Sequence, residues 1–359
     1  MALAAAFECQ TVFSYEDIRT AHCFSLVSAF LSLWGSALMI VAHFGLGSAS
    51  SLRTLVAGLA LADYVVAVVN IVKGSMIIFT PEAFQPWLCV TTRVLWQTAA
   101  GASIGYTCSI GIYVVYCLLR RAIVAPAPLV VALHALSWGV PLALVLPMVP
   151  AGLIHQSSST LLCYPQQTYH IVFWFLPVVL GILFTFLLVF GIVVRLVMVS
   201  RQLHASGFSQ LQLRSLAGRF SLYLVVLIVA WSVDIVNYVT LQVSDCNLLF
   251  MIILYSCLVD ALGFMDAVVY GVTNTQYRDR VLAMMRHPVG FVVVVVVVLF
   301  APIIAPPVAA WATLARVRAL CLRSPAEDSS TVVDLDHVPS EMSHTVYGET
   351  TRLYDSAYR

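Results

Sequence analysis

Charge is what this sequence has least of. Asp, Glu, Lys and Arg make up 10% of its 359 residues, against about 25% in ordinary globular proteins. Lys73 is its only lysine and the formal net charge is +1, so a polybasic nucleic-acid binder is excluded. The first 20 residues carry Glu8, Glu16 and Asp17 and lack a basic start leading into a long apolar core. No cleavable signal peptide is expected. The nine cysteines show no metal-ligand spacing. No Ser–His–Asp set, metal cluster or phosphate loop is evident, so neither an enzyme nor a bound cofactor is expected.

Apolar residues, in contrast, reach 61% and gather into long runs. Seven lie near 22–44, 54–79, 90–118, 129–153, 170–194, 220–243 and 247–272. A run of roughly 20 residues crosses the hydrocarbon core as a helix, because a helix satisfies its own backbone hydrogen bonds where water is absent. The expected fold class is all-α, an integral membrane seven-helix bundle, and the lipid bilayer is its first partner. An eighth run, 289–311, holds seven consecutive valines from Val292 to Val298. The expected organisation is an extracellular segment 1–21, a bundle with a short amphipathic helix 22–287, an extra hydrophobic segment 288–312 and an acidic tail 313–359.

The arginines set an orientation. Arg53, the Arg120–Arg121 pair, then Arg195, Arg201, Arg214 and Arg219, and finally Arg278, Arg280 and Arg286 recur in alternate connections. Glu16, Asp17, Glu82 and Asp245 lie in the others, with Arg19 and Arg93 as exceptions. Basic loops stay cytoplasmic. The N-terminus is therefore expected outside a multi-pass membrane, most simply the plasma membrane. The eighth run conflicts with this rule, since Arg316, Arg318 and Arg323 follow it and Pro302, Pro306 and Pro307 interrupt it. A true span, a hairpin bent at the prolines and an artefact of the gene all stay open. The Ser/Thr-rich acidic tail has too little apolar surface to fold. If inside, it is either a phosphorylation and arrestin-type regulatory tail or an inert solvated one.

Cysteines and buried charges give two constellations. Cys89, at the outer end of the third run, and Cys163, in the next outer loop, suit a disulfide on the oxidising side; free thiols are the alternative. Cys9, Cys23 and Cys246 leave room for a second outer bridge, whereas Cys108, Cys117 and Cys257 read as packing residues. Charges inside a span face the bundle interior. Asp63 and Asn70 share a face of the second run, Asp234 and Asn237 sit on the sixth, and Asp260 and Asp266 on the seventh, with Tyr270 following. They form either neutral packing groups or a polar switch in which Asp63 and Asp266 share a proton or a sodium ion, since two close carboxylates cannot both ionise without a counter-ion. Nearer the outer side, Lys73, Arg93, Trp96 and Gln97 are candidates to line a pocket for an anionic ligand, or the two cations snorkel to the interface.

Four motifs then resemble the slime-mould cyclic-AMP receptor family, a branch of the G-protein-coupled receptors related to the secretin-like ones. The fourth run reads Ser137-Trp138-Gly139-Val140-Pro141; the sixth has Tyr223, Trp231 and Asn237; the seventh reads Gly263-Phe264-Met265-Asp266-Ala267-Val268-Val269-Tyr270-Gly271; the third ends Ile110-Gly111-Ile112-Tyr113. Asp266 replaces the family's usual asparagine. The resemblance covers roughly residues 20–285 and implies a receptor that senses a small extracellular ligand and couples to a heterotrimeric G protein. It places Arg120, Arg121, Arg195, Arg201, Arg214 and Arg219 on the coupling face, although topology alone also explains those arginines. Asp-Arg-Tyr and Asn-Pro-x-x-Tyr motifs are absent, unlike the rhodopsin-like branch. The cyclic AMP ligand does not carry over, because its binding residues find no one-to-one match. A retinal protein needs a lysine in the seventh span, which this chain lacks. A multi-span transporter or channel is the alternative, weakened by the lack of an internal repeat.

Overall fold

The computed structural model describes residues 13–45, 51–80, 85–120, 124–156, 163–203, 210–244, 248–274, 277–279 and 281–282. Eight long helices dominate: α1 Tyr15–Gly45, α2 Ser51–Phe79, α3 Pro86–Arg120, α4 Ala127–Val145, α5 Leu176–Leu203, α6 Gln210–Ser244, α7 Leu249–Asp260 and α8 Leu262–Thr273. The first six cross a membrane by length and composition, and α7 with α8 forms a seventh span bent by 49°. The chain is a seven-helix membrane bundle.

The first helix begins earlier than hydropathy suggests. Residues 15–21 belong to α1, not to a separate N-terminal segment ending at residue 21. The cause is local: the Asp17 backbone N–H donates to Ser14 Oγ at 3.2 Å, and the Ser14 N–H donates back to Asp17 Oδ2 at 3.2 Å. This reciprocal pairing is a capping box, and Glu16 and Asp17 in the first turn complement the helix dipole. Similarly, Arg53 lies within the first turn of α2 rather than in the loop before it.

The seventh run is not one helix. Ala261, at φ −88° and ψ 1°, ends α7 and starts α8. Gly263 beside the joint allows a close approach to α1: a Cβ there would lie 2.7 Å from Ser32 Oγ and 2.9 Å from Asp63 Cβ. The Gly263 N–H instead donates to Ser32 Oγ at 3.0 Å, so a backbone donor at the joint finds its partner on another helix.

Between α4 and α5 the chain forms a small roof. After a 3-10 turn at Leu146–Met148 and Gly152 at φ 64°, strands β1 Ile154–Gln156 and β2 Cys163–Pro165 pair antiparallel, with His155 opposite Tyr164. Cys163 bonds Cys89 at the start of α3, across a Cα–Cα distance of 5.6 Å. Beneath the bridge, Val145, Met148 and Ile154 are buried with the two cysteines. A turn of helix, Gln167–His170, and a π-helical segment, Ile171–Phe175, then lead into α5.

Cys23 is exposed with a free thiol, so it takes no part in a second outer bridge. Cys9 and Cys246 lie outside the described residues, as do Arg121, Arg280, Arg286, the run 289–311 and the tail 313–359. The backbone of Arg201, Arg214 and Arg219 is helical, but their side chains also fall outside the described set. Of the amphipathic stretch 274–287, residues 277–279 and 281–282 are helical, and the Arg278 N–H donates to the Asn274 carbonyl at 3.0 Å.

Candidate functional site

Three polar centres lie inside the bundle, one below another from the disulfide end. Arg93 anchors the first. It stands seven residues into α3, about 10 Å along the helix axis at 1.5 Å per residue. Its side chain is buried and turned inward, not snorkelling. The guanidinium carbon lies 5.0 Å from the Trp96 ring, 5.7 Å from Trp174 and 5.8 Å from Tyr164 of β2. Such cation–π contacts stabilise a desolvated guanidinium by roughly 2 kcal/mol. Arg93 Nε donates to Gln97 Oε1 at 3.1 Å, and Gln97 Nε2 donates to the Phe173 carbonyl in the π segment at 3.0 Å. Nη2 is buried without a hydrogen-bond partner. Among the described residues no carboxylate forms an ion pair with Arg93.

Around that cation the aromatic groups are stacked closely. Trp96 and Trp174 lie 5.0 Å apart, and Trp174 and Trp231 5.3 Å apart at 62°. His170 lies 6.0 Å from Tyr164 and 5.5 Å from Tyr238. The indole N–H groups of Trp96 and Trp231 and His170 Nδ1 are also buried without partners. Asp234 accepts a hydrogen bond from Trp174 and lies within electrostatic range of Arg93. The π segment explains part of this convergence. Its wider turn carries Trp174 inward, and insertions of this kind recur at functional sites.

The second centre joins three helices. Lys73 Nζ donates to Asn70 Oδ1 at 2.9 Å, Asn70 Nδ2 donates to Asp260 Oδ1, and Ser25 Oγ donates to Asp260 Oδ2. Asn70 is therefore a two-sided linker between a cation on α2 and an acid on α7. Asn70, Asp260 and Ser25 are buried and Lys73 is half-buried.

The third centre is Asp63 with Asp266, both buried. The two carboxyl groups lie within interacting range of each other, and Ser103 on α3 lies beside Asp63. Asp63 Oδ2 has no partner. No group of three or more His, Cys, Asp and Glu side chains suited to a metal ion occurs among the described residues.

The candidate set is thus divided. Arg93, Trp96 and Gln97 share one centre, with Lys73 within electrostatic range of Arg93. Asp234 belongs with Arg93. Trp231 packs against Trp96 and Trp174, so it belongs to the same upper centre. Asn237, three residues after Asp234, is half-buried. Tyr270 lies lower and packs on Tyr277 with centroids 4.8 Å apart. Arg120 is exposed at the end of α3 and Arg195 is half-buried in α5. Sequence reasoning missed Tyr164, His170 and Trp174. The close aromatic spacing His170-Ile171-Val172-Phe173-Trp174 was the available signal.

No family model matches the chain. Over 246 residues it is 24% identical to the cyclic AMP receptor-like protein C of Dictyostelium discoideum, covering 63% of this chain and 64% of that protein. The chain therefore spans just under two thirds of the length of that curated relative. Among solved structures, squid rhodopsin matches with a TM-score of 0.61 at 12% identity, over 75% of this chain and 85% of that one. At that identity the likeness establishes the fold. The chain is similar to a receptor-like protein in sequence and to a rhodopsin in architecture.

Proposed function

We propose that the protein is a G-protein-coupled signalling receptor whose ligand binds around Arg93, beneath the disulfide-tied hairpin. The observation that carries this reading is the buried guanidinium with an unpartnered Nη2 inside a cage of Trp96, Trp174 and Tyr164. A polar group left so costs about 1–3 kcal/mol, more when charged, and an anion in the cage removes that penalty. The disulfide end then faces outside. The opposite ends of α3, α5 and α6, with Arg120, Arg121, Arg195, Arg201, Arg214 and Arg219, form the face for a heterotrimeric G protein. The similarity to a cyclic AMP receptor-like protein supports the receptor class.

Asp63 and Asp266 serve in this reading as the switch between the two ends, sharing a proton or a sodium ion. The extra segment 288–312 decides whether the tail 313–359 is reachable by cytoplasmic kinases. A C-terminal epitope tag, stained with and without permeabilisation, answers that directly.

The function is tested by G-protein dissociation in cells expressing the full chain, challenged with nucleotides, carboxylates and phosphate-bearing molecules. A response that Arg93→Gln abolishes at unchanged surface expression supports the proposal. Silence across G-protein types, with the receptor on the surface, overturns it. One observation favours a second reading, a transporter or channel: the seventh span is broken beside Asp260 and close to Asp63 and Asp266, and broken helices mark ion paths in transporters. Proton or sodium flux through reconstituted protein, lost in Asp63→Asn, would replace the receptor with that alternative.

A further inference from the structure

A cavity of about 260 Å³ lies between α3, α4 and α5, and it differs in kind from the polar centres. Helices α4 and α5 each lean on α3 and have at most slight contact with each other, which leaves a gap between them. Small residues on α3 and α5 border it. A Cβ on Gly101 would come within 2.8 Å of Pro141, one on Gly105 within 3.0 Å of Ser137, and one on Gly181 within 2.7 Å of Ile104. The helices are drawn close at those points, and no side chain from them fills the space beside the contacts.

The cavity opens sideways. Its rim includes Leu136 and Val140 of α4, which are 58% and 51% exposed, and both lie in membrane-spanning helix. Its mouth therefore faces hydrocarbon. Its lining also includes Gln97 and Trp174. Those two side chains also hold Arg93, one by a hydrogen bond and the other by its ring face. An apolar crevice beside the lipid thus shares two lining side chains with the surroundings of a buried, incompletely paired cation. The volume falls just short of the roughly 300–1,000 Å³ of drug-sized ligand pockets, so a larger ligand would extend through the mouth into the lipid.

We infer that the ligand is an anionic single-chain amphiphile, its chain lying between α4 and α5 and its headgroup reaching the Arg93 cage past Gln97. The inference rests on the receptor reading and specifies the ligand of that same site. Each half of such a molecule meets its match: the methylene chain replaces bilayer contacts with apolar walls, and the anion pairs with Nη2. A free fatty acid and a lysophospholipid with a phosphate headgroup share this chemistry.

The test uses the full chain in nanodiscs of phosphatidylcholine, with intrinsic tryptophan fluorescence as the binding signal, since Trp96, Trp174 and Trp231 surround the proposed headgroup position. The probes are oleate, oleoyl lysophosphatidate, oleyl alcohol, acetate and glycerol phosphate. The expected result is saturable binding of one or both charged-chain probes, with oleate and lysophosphatidate separating the two sources. Kd should rise at least tenfold for oleyl alcohol and for the short anions. Arg93→Gln and Val140→Trp should each weaken binding by a similar factor. Val140 points to lipid, so its replacement leaves the helix packing intact if Arg93→Gln fails to fold. Short anions binding as tightly as the amphiphiles overturn the lateral route while leaving a receptor for soluble anions standing. Binding of oleyl alcohol equal to oleate, indifferent to Arg93→Gln, or no binding by any charged-chain probe, also overturns it. The signalling assay above is independent of these outcomes.

Discussion

Helices α3 and α5 obey opposite rules. The most apolar stretch of α5 has a mean hydropathy of 2.8 and only 17% of it is buried, whereas α3 has the lowest value, 1.6, and is 56% buried. Helices α1 and α2, at 50% and 61% buried, go with α3; α4 and α6, at 22% and 28%, go with α5. In water the greasiest helix would be innermost. In lipid the hydrophobic effect does not separate helix from tail, so association depends on close packing, small residues and hydrogen bonds. The α1–α2–α3 side has all of these: Ser25, Ser32, Ser36, Asp63, Asn70, Gln97 and Ser103 are buried there. Gly58 receives the Tyr106 ring so closely that a Cβ would lie 2.4 Å from it. The α4–α5 side is held chiefly through α3 and is free to take up lipid.

The largest expected effect breaks the tie between the two sides. Cys163→Ser frees the hairpin from α3 and opens a loop of 74 residues. Loop-closure entropy for that length corresponds to about 4 kcal/mol, read as a lower unfolding temperature in detergent. Next, Gly35→Ala forces a Cβ to within 2.7 Å of the Phe264 backbone, which cannot give way as a side chain can. A loss of about 3 kcal/mol is expected. Its counterpart on the lipid-facing side, Gly139→Ala, meets nothing within 4 Å and should stay within about 0.5 kcal/mol of the parent. Equal losses in the two glycine variants would sink the comparison. Asn70→Ala removes the linker between Lys73 and Asp260 and should lower stability by about 2 kcal/mol. A double-mutant cycle with Asp260→Asn should show coupling between the two positions. Smallest is Tyr106→Phe, which removes an acceptor for the Trp138 indole N–H at 3.0 Å and a partner for His134 Nδ1 at 2.8 Å. Hydrogen bonds between membrane helices average about 0.6 kcal/mol each, so denaturant titration should show a shift near 1 kcal/mol.

The seven spans were legible because length and lack of charge are enough to specify a crossing helix. The start of α1 was legible in principle, as Ser14-Tyr15-Glu16-Asp17 is a capping signal, but hydropathy gives weight to the charges and not to the cap. The joint at Ala261 left no mark, since neither proline nor glycine occupies that position and the partner that satisfies Gly263 lies on α1. The grouping of polar residues was half legible. Intramembrane Asp and Asn pointed to the interior, yet spacing on one helix cannot say that Asn70 bonds Asp260 while Asp63 faces Asp266. Asp234 on α6 came within electrostatic range of Arg93 on α3 for the same reason. Tyr164 was hidden deepest, because its place over Arg93 depends on a strand pairing and a disulfide acting together.

The interruption at Ala261 has a mechanical consequence. A continuous helix is a torsion rod, and a twist applied at one end arrives at the other. Here the rod is cut and each piece is moored separately. Asp260 ties the upper piece to Asn70 and Ser25, while the Gly263 N–H ties the lower piece to Ser32 and Asp266 lies against Asp63. The lower piece, which carries Tyr270, can swivel about its own moorings without dragging Asp260 from its partners, so strain near Arg93 and movement at the far end need not share a single axle.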